Sequence, residues 1–216
     1  MRLKALFVIF SLALPTCMAT PVPPCNTSPL ASADVAIIVP DSISCTEAAY
    51  PAECATTTRA VPYINLAFTA FSIHDFGTQA ALLALILYKS ASFKHNTNHY
   101  PGVPGQGTRN MQSPAFNLKY AQWLAANRTD SGLSLQQVQE AEAEGPVQVL
   151  ALVNNDRWGF ASAAWFLVTQ CDAEIRRGLA GLTEDGWNAY LIDCVGTTVT
   201  DERTAVWKEA TALRKW

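Results

Sequence analysis

The segment QAALLALILY, residues Gln79 to Tyr88, places the tightest constraint on how this chain can fold. It carries apolar side chains on every face of a helix, so no side of that helix is suited to water. The segment is also too short to span a bilayer, so we expect it to lie at the centre of a helical domain. The sequence therefore predicts one buried helix with other helices packed around it.

Helical periodicity extends over most of the chain after residue 58. Apolar residues recur at three- and four-residue spacing, and Gly or Pro marks the joints between segments. No repeat of fixed period is present, which disfavours a solenoid. We expect a mainly α fold forming a single domain, with further helices within residues 59–74, 116–127, 133–144, 146–155, 158–170, 183–196 and 201–215.

The first residues have the order of a secretory signal peptide. Arg2 and Lys4 precede an apolar run from Ala5 to Leu14, and Pro15 and small residues follow. A membrane anchor is the alternative, but the run is too short for one, so we expect a secreted, extracellular protein without membrane contact after cleavage. We expect a signal peptide over residues 1–19, a flexible Pro/Ser/Thr-rich lead-in over 20–44, and the domain over 45–216.

Cysteine spacing predicts two local disulfides. Cleavage of the signal peptide removes Cys17 from the 6 cysteines of the chain and leaves an odd number in an oxidising compartment. Pairing within each local cluster places Cys25 outside the domain core. The predicted bridges are Cys45–Cys54 and Cys171–Cys194. Glycosylation sequons at Asn26 and Asn127 fit the same secreted context.

Several function classes are disfavoured. The net charge is −3 and the basic residues form no stripe, so we expect no nucleic-acid partner. The loop GVPGQGTRN lacks the Lys-Ser/Thr of a phosphate cradle, and no Gly-x-Ser-x-Gly elbow is present. His74, His95 and His99 have no Cys or carboxylate at ligand spacing, so we expect neither a metal nor a cofactor, and histidines that bind loop backbone instead.

The exit of the apolar helix is the candidate site. Lys89 and Ser90 end the helix beside a long loop rich in glycine, an arrangement that can hold a side chain at the floor of a cleft. The glycines of this loop either let backbone approach a ligand or neighbour closely, or serve only to order the loop. Tyr100 and Trp158 are candidates for an exposed platform on which sugar rings stack.

The residues from Lys89 onward resemble those of glycan-cleaving enzymes. In lytic transglycosylases and goose-type lysozymes, a buried helix ends in Glu-Ser, an aromatic residue follows, and a loop delivers Gly and then Met-Gln. This chain has Lys89-Ser90, Phe93, Gly107 and Met111-Gln112 in that order. It more specifically resembles secreted lysozyme-like proteins of filamentous fungi related to fungal muramidases, through NHYPGVPGQGTRNMQ (98–112), FNLKYA (116–121), SAAWFL (162–167) and CVGTTVTDER (194–203).

The resemblance covers roughly residue 45 to the C-terminus and implies a lysozyme-like helical domain, a monomer, whose cleft faces cell-wall polysaccharide. It implies a glycoside hydrolase in which the position of Lys89 carries the catalytic Glu. The residues that the resemblance and the loop chemistry assign to substrate binding are Ser90, Phe93, His99, Tyr100, Gln106, Gly107, Arg109, Asn110, Met111, Gln112 and Trp158.

Lys89 departs from that pattern at the position of the general acid. Glycoside hydrolysis needs a carboxyl group that protonates the leaving oxygen, and a lysine has none. Lys89 also has a structural explanation, since a cation at a helix C-terminus complements the helix dipole. Three functions stay open: binding of peptidoglycan or a chitin-like glycan with hydrolysis lost or altered, an active muramidase that uses another carboxylate, and a non-enzymatic effector that binds glycan or a host protein.

Overall fold

The computed structural model describes residues 29–213, and its fold is mainly α. Within those residues there is no β-strand, only isolated bridges in the loop between the third and fourth helices. The helices are α1 (Ser32–Ile38), α2 (Thr57–Ala70), α3 (Phe76–Lys89), α4 (Pro114–Asn127), α5 (Leu135–Glu144), α6 (Pro146–Val153), α7 (Asp156–Gln170), α8 (Ala173–Ala180), α9 (Glu184–Ala189) and α10 (Asp201–Leu213). Short 3-10 turns at Pro40–Ile43 and Thr129–Ser131 and a π-helical turn at Tyr190–Cys194 complete the set.

Helix α3 lies at the centre of the domain, as its composition predicts. Every residue from Gly77 to Leu87 is buried, and α7, α8 and α10 pack against the helix. Asp75 caps its first turn, accepting a hydrogen bond of 2.8 Å from the Thr78 amide. Gly77 permits the close approach of α8, because a Cβ there would lie 2.3 Å from the Leu179 carbonyl oxygen. The predicted buried helix is confirmed.

The domain begins earlier than the sequence indicated. The expectation of a flexible lead-in up to residue 44 is wrong from Leu30 onward, because Leu30, Val35 and Ile38 belong to the hydrophobic core. Helix α1 packs against α2 and α10. The side chain of Asn65 on α2 also bonds both backbone groups of Leu30, at 3.1 and 2.9 Å. Residues 1–28, with the expected signal peptide, Cys17, Cys25 and the Asn26 sequon, lie outside the described residues.

Both predicted disulfides are present. Cys45–Cys54 joins Cα atoms 5.9 Å apart and fastens the turn that precedes α2. Cys171–Cys194 joins Cα atoms 5.3 Å apart and fastens the end of α7 to the π-helical turn. None of the helices between residues 29 and 213 has the length and apolarity needed to cross a membrane.

Candidate functional site

Lys89 is the last residue of α3, and the turn after it reverses the chain. Ser90 is buried, its hydroxyl donating to the Ile86 carbonyl at 2.7 Å and accepting from the Phe93 amide at 2.9 Å. Ala91, Ser92 and Phe93 all adopt positive φ angles, between 50° and 68°. The turn directs Phe93 into the core, where it packs against Phe160. Ser90 and Phe93 therefore fix the position of Lys89 and do not line a cavity.

A groove passes over Lys89, formed by two cavities that share Lys89, Gln106 and Met111. The first cavity, of about 210 Å³, is also lined by Leu85, Asn110, Gln112, Ser113, Phe116, Phe166, Val195, Gly196 and Thr197. The second cavity, of about 320 Å³, is also lined by His95, Thr97, Asn98, His99 and Tyr100. Among these residues there is no Asp or Glu. We call these two cavities together the groove.

Lys89 is the cation of the groove. Burial lowers the pKa of its ammonium group, and the charge of Arg203 lowers it further. Arg203 itself lies over the Tyr88 ring at 4.7 Å and donates a 3.0 Å hydrogen bond to the Thr198 hydroxyl. In the part of the chain from 29 to 213, no carboxylate forms an ion pair with Lys89. The groove thus has a partly desolvated amine at the end of α3.

The wall opposite α3 is built by the glycine-rich loop. Gly107 forms bridges to Thr97 and Gln112, and a Cβ there would lie 2.5 Å from the Asn96 carbonyl oxygen. Gln106 donates to the Met111 carbonyl at 3.1 Å, which holds both residues at the groove. The glycine at 107 is thus required by the close approach of the loop to itself.

Two amide side chains on this wall, those of Asn110 and Gln112, differ in whether their oxygen atoms have hydrogen-bond partners. Asn110 accepts hydrogen bonds from the hydroxyls of Thr108, at 2.7 Å, and Ser162, at 2.8 Å. Gln112 donates to Asn117 at 2.7 Å, but its buried Oε1 has no hydrogen-bond partner. An unpaired buried acceptor of this kind costs about 1–3 kcal/mol.

Arg109 lies behind the groove and holds its loops together. Its guanidinium donates to the carbonyls of Phe93 at 2.8 Å, His95 at 3.2 Å and Glu53 at 2.8 Å, and it lies over the Phe160 ring. Burial lowers the pKa of Arg109 to about 10, against the opposing effect of Asp156. Arg109 is therefore a clamp between segments and is not a groove residue.

At the end of the groove, Glu53, His95 and His99 come together. His99 Nε2 lies 2.8 Å from Glu53 Oε1, and Glu53 Oε2 accepts a hydrogen bond of 3.1 Å from the Asn96 amide. One potential metal-ligand atom from each of the three residues lies within 4.8 Å of the others. Residue spacing does not indicate this cluster, because Glu53 is far from the histidines along the chain.

The structure brings together part of the predicted site. Lys89, His99, Tyr100, Gln106, Asn110, Met111 and Gln112 line the groove, and Tyr100 is 94% exposed there. The expectation of an exposed Trp158 is wrong: its side chain is buried and covered by the guanidinium groups of Arg128 and Arg157. Phe116, Phe166 and the segment 195–197 are groove residues that sequence reasoning did not select, although all lie in or beside motifs that carry the resemblance. Asn127 is exposed at the end of α4, as a glycosylation site requires.

Comparison with known proteins gives one partial match. No family model matches the sequence, and no solved structure matches it. A curated protein of Fusarium oxysporum (strain Fo5176), a bifunctional dioxygenase (DOX)-epoxy alcohol synthase (EAS), is 36% identical over 141 residues. That alignment covers 65% of this chain and 11% of the relative. The chain therefore resembles a small portion of that protein, and the similarity does not extend to the part that makes up most of it.

Proposed function

We propose that this protein is a secreted, lysozyme-like glycan-binding protein that does not hydrolyse its ligand. The observation that carries the proposal is Lys89, the charged side chain shared by both cavities, in a groove whose lining contains no Asp or Glu. Glycosidases use a pair of carboxyl groups beside the scissile bond. Loss of a positioned general acid costs about a hundredfold to ten-thousandfold in rate.

A lysine is a poor replacement for the acid on electrostatic grounds. The transition state of glycoside hydrolysis carries positive charge on the sugar ring. An ammonium group beside that ring repels the charge, and its longer reach does not reproduce the geometry of a carboxyl. Glu53 adjoins the groove through its contact with His99, but both its oxygens already accept hydrogen bonds.

The groove has the chemistry of a sugar-binding surface. Amide groups of Gln106 and Gln112 can exchange hydrogen bonds with sugar hydroxyls, and the exposed ring of Tyr100 can stack on a pyranose. Binding sites of this kind combine apolar faces with a few polar groups that fix orientation.

Charge favours an anionic glycan over a neutral one. Lys89 contributes a cation and no lining carboxylate offsets it. Peptidoglycan carries lactyl and peptide carboxylates, whereas chitin carries none. A charge-assisted hydrogen bond to such a carboxylate is worth about 1.5–3 kcal/mol, which corresponds to roughly ten- to a hundredfold in affinity. Secretion is supported by the two disulfides, which persist in oxidising compartments.

Calorimetric titration with soluble peptidoglycan fragments and with neutral chito-oligosaccharides tests this proposal. We expect tighter binding of the peptidoglycan fragments and an affinity that falls as salt is raised. Lys89→Gln should weaken that binding about tenfold and leave the neutral oligosaccharides unaffected. Lys208→Gln is the matched control, because Lys208 is exposed, pairs with Glu184 and lines neither cavity. Equal affinities for both glycans in wild type and Lys89→Gln would contradict the proposal.

A further inference from the structure

The cluster of Glu53, His95 and His99 has the composition of a metal site. Two imidazoles and one carboxylate form a donor set that suits Zn²⁺ and related divalent transition metals. One potential ligand atom from each residue lies within 4.8 Å of the others. In a tetrahedral zinc site, ligand atoms about 2.1 Å from the metal are separated by about 3.4 Å. The most distant pair of ligand atoms therefore lies at most about 1.4 Å beyond the separation found in a zinc site.

The fold holds the segments that carry these ligands in place. The Cys45–Cys54 disulfide fastens the chain next to Glu53, and Arg109 donates to the backbone carbonyls of both Glu53 and His95. The His95 amide donates to the Ser90 carbonyl at 2.9 Å. These contacts hold the backbone of the ligand-bearing segments in place without a metal. Only side chains therefore need to move when an ion binds.

Individual side chains are also oriented as ligands. The Asn96 amide bonds Glu53 Oε2 and leaves Oε1 directed at His99, a contact of the kind that fixes ligating carboxylates. The ring of Tyr50 stacks on His99 with an interplanar angle of 3°. His99 retains 30% side-chain exposure and so has room for the movement that closure requires.

His95 is the residue that most directly points to a ligand. Its buried Nδ1 has no hydrogen-bond partner, and none of the side-chain hydrogen bonds formed within residues 29–213 involves its ring. An unpaired buried ring nitrogen is costly unless something else satisfies the imidazole.

We propose that Glu53, His95 and His99 bind one divalent transition-metal ion, with Zn²⁺ as its representative, at the end of the groove. Three protein ligands leave a coordination position for water or for an oxygen atom of a bound molecule. His95 and His99 line the same cavity as Lys89, so the ion and Lys89 border one cavity. The metal site is independent of the proposed function, since ion binding needs no glycan.

The test uses untagged, disulfide-intact protein stripped with chelator and then titrated with Zn²⁺ alone. We expect one ion per chain, and a Co²⁺-loaded sample should show the intense visible absorption of a four-coordinate site. Glu53→Gln, which keeps the size of the side chain, and His99→Gln, at a partly exposed position, should each weaken Zn²⁺ binding by at least about tenfold. His74→Gln is the control, because His74 is an exposed histidine outside the cluster.

Circular dichroism of each variant, with unfolding in denaturant, establishes that the variants are folded, and His99→Gln serves as the decisive comparison if Glu53→Gln is unstable. Zn²⁺ affinity equal in wild type, His99→Gln and His74→Gln would overturn the proposal. So would the absence of any 1:1 binding, which would identify Glu53 and His99 as a hydrogen-bonded pair only. Weakening by both cluster variants and not by His74→Gln supports the site, whether or not the protein binds glycan.

Discussion

Replacing Arg109 by methionine tests whether this buried side chain holds the groove loops together. The substitution removes the hydrogen bonds to the carbonyls of Phe93, His95 and Glu53, and also the 3.7 Å contact with Asp156. The Phe93 carbonyl keeps its hydrogen bond from the Ala55 amide, so the carbonyls of His95 and Glu53 are left unpaired, each at a cost of about 1–3 kcal/mol. Asp156 keeps its ion pair with Arg59, so loss of the Arg109 contact costs less than the about 3–5 kcal/mol of an isolated buried pair.

These costs do not add in full, because burial of the guanidinium is itself unfavourable. The pKa of Arg109, lowered to about 10 by burial, records that penalty. Methionine has a similar length and fills the space without a charge. We therefore expect Arg109→Met to lower the free energy of unfolding by about 3–4 kcal/mol, the range for disruption of a buried network.

Urea unfolding followed by circular dichroism, with both disulfides intact, measures this change. Arg59→Met is the matched control, because Arg59 pairs with the same Asp156 but has a side chain that is 53% exposed. An exposed pair of this kind contributes up to about 1 kcal/mol. Equal losses in the two variants, or a loss below about 1 kcal/mol for Arg109→Met, would refute the assignment of Arg109 as a clamp.

Three further changes test other parts of the site. Gly107→Ala should lower the free energy of unfolding by about 2 kcal/mol in urea titrations, because the new methyl lies 2.5 Å from the Asn96 carbonyl oxygen; an unchanged midpoint would contradict the close approach. Lys89→Met should have a higher free energy of unfolding than wild type at neutral pH, because the pKa of Lys89 is depressed in the folded state. The destabilisation by the charged Lys89 is fully present below that folded-state pKa and disappears as the pH rises toward 10.5. Denaturation at several pH values should show the gain shrinking across that window, and a constant gain would contradict it. Lys89→Glu should give peptidoglycan clearing in a turbidity assay about a hundredfold above the wild-type background, the lower end of what a positioned acid contributes, whereas loss of an existing wild-type activity would make Lys89 part of the working chemistry.

The centre of the fold was predictable from sequence because its signals are local. The run from Gln79 to Tyr88 is apolar on all faces, and only a buried helix accommodates it. Cysteines close in sequence paired as expected. The placement of Lys89 beside Gln106 and Met111 followed from a helix end adjoining a long loop.

The missed elements depend on tertiary contacts. Helix α1 has only 7 residues and no intrinsic signal beyond Val35 and Ile38, and its stability comes from packing on α2 and α10. Helix α8, Ala173–Ala180, was also missed, since Leu179 is its sole buried residue. The short Arg-Trp-Gly sequence around Trp158 suggested exposure, but the ring is covered by two guanidinium groups.

The Glu53 cluster shows the same limit at the site. Glu53 precedes α2, whereas His95 and His99 follow α3, so two helices of chain separate the carboxylate from the imidazoles. Their meeting depends on Arg109, which bonds the carbonyls of both segments. The spacing of Glu53, His95 and His99 in the sequence does not predict their contact, because that contact depends on a third segment that carries Arg109.

Prolonged incubation of peptidoglycan fragments with saturating wild-type protein tests the central claim most directly. Mass spectrometry of the mixture reports both the complex and any cleaved glycan. A groove that contains Lys89 and no lining carboxylate should yield a complex with intact fragments and no new reducing ends. Cleavage products that form with wild type would contradict the claim, and their absence with Lys89→Met would show that this lysine takes part in hydrolysis.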